Sequence, residues 1–148
     1  MAIPALQGNF TENIETTTNT ITMVKPTGIV NGDLLLMIVV MNRDNSNQQL
    51  PATITGWTTQ WLINGIDYGG ARTMNACYTR IADGTEGATQ DIIALGIYEM
   101  AGIYANVKGA NTTSPIHLIG TQANVGSGTL TVPAILTTVD DTLLLSFA

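Results

Sequence analysis

The chain has 148 residues, enough for one domain with a core and too few for two. Charged residues are 11% of it, against roughly a quarter in an ordinary soluble domain; Thr and Asn supply about a quarter of the positions instead, a composition of short strands and turns that argues against a helical bundle. Five basic against eleven acidic residues leave a net charge of −6, so no basic footprint exists to neutralise phosphates, and neither nucleic acid nor an anionic membrane is an expected partner.

In chain order, Met1 to Thr18 is polar and weakly patterned, and reads as an extended arm (1–18) holding at most one strand. Residues 19–148 read as a single β domain. Thr20-Ile21-Thr22-Met23-Val24 alternates as a strand does. Pro26 and Gly28 break the pattern, and Asn31-Gly32-Asp33 gives a turn before the apolar run Leu34 to Val40, which has the length of a strand buried on both faces. The polar stretch Asn42 to Gln49 reads as an exposed loop. It feeds a strand through Trp57 and Gln60-Trp61-Leu62-Ile63.

Between Arg72 and Ile81, Met74, Ala76 and Tyr78 alternate with Thr73, Asn75, Cys77 and Thr79, which predicts one buried and one open face. Asp83-Gly84-Thr85-Glu86-Gly87 is a tight turn, and Thr89 to Ala94 and Gly96 to Ala101 read as two strands. The apolar spacing over Gln90 to Tyr104 also fits a helix. Thr20 to Leu36 is echoed by Thr129 to Leu145: both spell strand, proline-broken loop, acidic turn and buried strand. Two units are too few for a solenoid. A pair of hairpins in facing sheets fits better, so the expected fold is all-β, an antiparallel two-sheet sandwich of jelly-roll type.

These elements, Gly28 to Leu36, Gly56-Trp57-Thr58, Tyr78 to Glu86, the strand near Ile97 to Ala101, Thr113-Ser114-Pro115-Ile116 and Thr131 to Leu145, resemble in their order a recurring module of bacteriophage virion proteins, the jelly-roll or lectin-like sandwich of capsid decoration and tail-fibre proteins. The resemblance covers Thr20 to Ala148. It implies a virion location after synthesis in the host cytoplasm, and contact with the major capsid protein or another virion protein. Such modules continue into a further hairpin where this sequence stops on Leu143-Leu144-Leu145-Ser146-Phe147-Ala148. Either the sandwich lacks strands, or a neighbouring chain supplies or receives one, with Leu143, Leu144, Leu145 and Phe147 as the expected partner contacts, or the gene product is longer. A homo-oligomer is expected, with a trimer the guess that three-fold capsid junctions suggest.

Few residues suggest chemistry. Asp33, Asp44, Asp140 and Asp141 stand in turns or loops where calcium could bind, but the loop after Asp44 lacks the central Gly and terminal Glu of a calcium loop, and turn capping accounts for the others. Trp57 and Trp61, four apart, would share one face of a regular strand as a core plug or a sugar platform. One Cys77 and one His117 make neither an intrachain disulfide nor a zinc site, and no Gly-x-Ser-x-Gly motif accompanies His117. Glu86 and Glu99 form no convincing acid pair. No catalytic residue, cofactor or metal is therefore assigned. The expected function is a non-enzymatic capsid decoration protein that binds between capsomers. The alternative is a tail-fibre or host-adhesion module reading cell-surface glycan through Trp61, Tyr68 and the loop 42–49.

Overall fold

The computed structural model describes residues 4–6, 10–43, 49–64, 72–116 and Leu143. All regular structure among them is β, and every strand pairing is antiparallel. In chain order the strands are β1 (Ala5–Leu6), β2 (Thr11–Val24), β3 (Leu34–Arg43), β4 (Thr58–Asn64), β5 (Arg72–Ile81) and β6 (Thr89–Lys108). They form one sheet in the order β1-β6-β3-β5-β4, with β2 also on β6. The all-β, antiparallel expectation is met, and the shape is a single curled sheet, a half-barrel.

β3 is the axis of this sheet. Its run Leu34 to Val40 pairs with β5 on one edge and with β6 on the other, and Leu34 through Val39 are all buried. Alternation sends Leu35, Met37, Val39 and Met41 to the concave inner face. There they join Met74, Ala76 and Tyr78 from β5 and Met100 and Tyr104 from β6 in one cluster. The Tyr78 hydroxyl is satisfied by donating to the Pro51 carbonyl at 2.6 Å.

The expectation for Gln90 to Tyr104 requires correction. Neither a helix nor two separate strands forms; β6 is one strand of twenty residues, bent where Gly96 takes a φ of 86°. Its second half is paired on both edges, with β3 on one side and with β1 and the first half of β2 on the other. Its first half pairs with Thr20 to Val24. The register of β2 slips between Glu15 and Thr20, where Thr17 has a φ of 62°, so both strands bend together. Residues 11–18, read from sequence as part of an arm, thus include the first half of β2.

The bent ribbon doubles over the inner face. Its two halves come side by side: the Thr11 hydroxyl donates to the Val24 carbonyl, and Asn13 Nδ2 donates to the Thr22 carbonyl at 2.9 Å. Ile21, Met23, Ile92 and Ala94 are thereby carried into the inner cluster, where each large side chain removed from water contributes about 1.5–3 kcal/mol before ordering costs. Gly102 makes the approach feasible. A Cβ there would lie 2.8 Å from Met23 Sδ and 3.4 Å from the Ile38 carbonyl oxygen.

One polar side chain breaks the inner face. Asn106, opposite Leu35, is fully buried, and neither atom of its amide has a hydrogen-bond partner among the described residues. Such a group costs about 1–3 kcal/mol, so Asn106→Leu should raise the stability measured by urea denaturation by about that much; a loss would reveal a partner for the amide. Gly102→Ala should destabilise by about 1–3 kcal/mol through overpacking. In a Met23→Ala background the same substitution should cost almost nothing, and strict additivity in the double-mutant cycle would disprove the contact.

Candidate interaction surface

The side chains that alternate with the inner set build a second, convex face. Leu34, Leu36, Ile38 and Val40 of β3 stand opposite Val107, Ala105, Ile103 and Ala101 of β6. Beyond β6, Leu6 lies opposite Val107 and Ile14 opposite Ala101. On the β5 side Cys77 is opposite Ile38, and Trp61 of β4 is opposite Cys77. Leu36, Ile38, Cys77 and Trp61 form their own cluster. The central strand is apolar on both faces, as its unbroken run of hydrophobic residues requires.

Exposure along this face is uneven. At one end Leu34, Leu36, Ala105 and Val107 are buried. Thr113 to Ile116 passes nearby and, with Leu34, Thr58, Gln60 and Thr79, lines a shallow groove of about 300 Å³. At the other end Val40 is 43% exposed, Ile14 is 72% exposed and Ala101 between them is exposed. Single exposed apolar side chains are commonplace; these three form a contiguous row across three strands. Glu12 and Glu99 border the row, and Glu99 Oε2 accepts a 3.4 Å hydrogen bond from Asn42.

The sequence candidates fall in several places. Trp57 and Trp61 do not share a face, because a register slip between Thr59 and Trp61 reverses the alternation. Trp57 packs on the inner core, edge-on to Tyr104 with ring centroids 5.7 Å apart, and donates from Nε1 to Gln90 Oε1 at 3.1 Å. Trp61 is half-buried on the convex face and donates from Nε1 to Asn75 Oδ1 at 3.0 Å. The expected one-sided burial of β5 is also corrected: Cys77 and Thr79 are buried as completely as Met74 and Tyr78. Burial pushes the Cys77 thiol up to about 12, so it stays protonated and inert.

Asp33 is buried and capped within its own turn, Oδ2 accepting from the Val30 amide at 3.0 Å. Glu86 and Glu99 are held near opposite ends of β3, Glu86 beside Arg80 and Glu99 beside Asn42. No three His, Cys, Asp or Glu side chains cluster as metal ligands among the described residues. Leu143 is half-buried. Asp44, Tyr68, His117, Asp140, Asp141, Leu144, Leu145 and Phe147 lie outside the described residues. Sequence reasoning missed Ile14, Val40 and Ala101; the signal was there in the even-numbered positions of the apolar run 34–40, but Ile14 was isolated in a polar stretch.

The acidic turn between β5 and β6 is fixed by its own charges. Arg80 Nη2 donates to Asp83 Oδ1 at 2.8 Å and to Thr85 Oγ1 at 2.5 Å, while the two Glu86 oxygens accept from the Asp83 and Gly84 amides. Hydrogen bonds from Thr85, side chain first and then backbone, with a smaller contribution from Arg80, lower the Asp83 carboxyl to about 2. No known protein family matches the chain, and searches of curated proteins and of solved structures likewise find no match.

The Asp83 carboxyl titrates lower in the folded chain than its ordinary 3.8. Its stabilisation is therefore present above that ordinary value and lost as pH falls through about 2. Asp83→Asn should flatten the acid limb of stability against pH between these two values, measured by thermal melts; an unchanged limb would contradict the turn network.

Proposed function

We propose that the chain is a non-enzymatic structural protein of a bacteriophage virion, specifically a capsid decoration protein that stabilises the shell by contacts between capsomers. One observation carries this reading: the exposed apolar row Ile14, Ala101 and Val40 on a sheet whose other face is already closed. Such a row is suited to burial against another protein. The ordered sequence resemblance to virion modules supplies the setting. In this proposal the half-barrel is part of a jelly-roll-like sandwich, the partner is the major capsid protein, and the chain acts as an oligomer, with a trimer fitting three-fold junctions.

The glycan-adhesion alternative has less support, because Trp61 packs on Leu36, Ile38 and Cys77 and commits its Nε1 to Asn75. A stacking platform needs a freer ring.

The test uses shells assembled without this chain. The wild-type protein should bind them, and Ile14→Asp and Val40→Asp should each bind at least about tenfold more weakly, a loss of about 1.4 kcal/mol, with far-UV spectra and melting temperatures close to wild type. Undiminished binding by both variants, or absence of binding by the wild type, would refute the proposal.

A further inference from the structure

The exposed row carries information about its partner in its rim. Glu12 and Glu99 stand exposed on the same convex face, Glu12 two residues before Ile14 and Glu99 two residues before Ala101. Three of the chain's basic residues stand away from this row. Lys25 donates to the Glu86 carbonyl at the β5–β6 turn, Arg80 is held by Asp83 and Glu86, and Lys108 stands opposite Ala5 at the far end of β6. Among the described side chains, the open end of the convex face is therefore apolar at its centre and acidic at its edge.

We infer that this end of the sheet docks a protein surface of complementary build, an apolar projection flanked by lysine or arginine side chains. The inference rests on the decoration reading and adds the partner's chemistry to it. An apolar centre gives burial, while rim charges set the on-rate and reject partners of the wrong sign. A second copy of this chain docking face to face would bring acidic rims together, and like-charge juxtaposition across an interface costs several kcal/mol. The net charge of −6 adds to the repulsion between two copies meeting through this face, and leaves other faces to hold the oligomer.

The probe is a pair of synthetic peptides with the same three-valine centre, one flanked by lysine pairs and one by glutamate pairs, titrated into the full chain and followed by backbone-amide NMR. The lysine peptide should shift the amides of Ile14, Val40 and Ala101 and bind at least tenfold tighter than the glutamate peptide at low salt. Glu12→Lys combined with Glu99→Lys should reverse that preference, whereas Asp91→Lys, remote from the row, should leave it unchanged. Equal affinity for the two peptides, binding by neither, an effect of Asp91→Lys as large as that of the rim pair, or shifts elsewhere in the sheet would overturn the inference. So would a concentration-dependent dimer that shields the same amides. Shell binding that survives the rim reversal would sink the inference and leave the decoration reading standing; loss of all shell binding in the wild type would do the opposite.

Discussion

The close approach of Met23 to Gly102 is the contact on which the rest of the architecture depends. A sheet centred on a strand as apolar as β3 must be covered on both faces, and six strands in one layer cannot do that if they remain flat. Doubling the β2–β6 ribbon covers the concave face with the sheet's own residues. The fold-over needs three local permissions: a bend in β6 at Gly96, a slip in β2 around Thr17, and a missing side chain at position 102 where the upper layer touches the lower. The last sets how closely the layers approach, because a Cβ at 102 would occupy the space taken by the Met23 thioether.

Closing the concave face from within leaves the convex face as the one still in need of cover. Its buried end, around Leu36 and Ala105, and its open end, around Val40 and Ala101, are made of the same residue types on the same strands. The difference between them is cover, not composition. The fold and the proposed role are linked in this way. A protein whose core strand is apolar on both sides, and whose surface carries few charges, is well suited to a setting where neighbours supply part of its surroundings. The acidic rim adds selectivity to what would otherwise be a sticky edge.

The strand content was legible because its signals are local. Alternation in Thr20 to Val24, the unbroken run Leu34 to Val40 and the Asp83 to Glu86 turn each depend on neighbours within a few residues, and each appears where expected. Three features were not local. The union of Thr89 to Lys108 into one bent strand depends on β3 and β2 holding both halves, which outweighs the helical spacing of its apolar residues. The separation of Trp57 from Trp61 depends on a single slipped register position in β4. The convex row unites residues 14, 40 and 101, which no spacing rule connects; only strand register places them side by side.

The central claim is that the open end of the convex face is covered by another protein when the chain is in its working assembly. Hydroxyl-radical footprinting of the free chain against the same chain on assembled particles measures this directly. Strong protection on assembly at Ile14 and Val40, with little change at the exposed Ile93 and Leu95 of the doubled ribbon, is the predicted result. Equal labelling of Ile14 and Val40 in the free and assembled states would contradict the account.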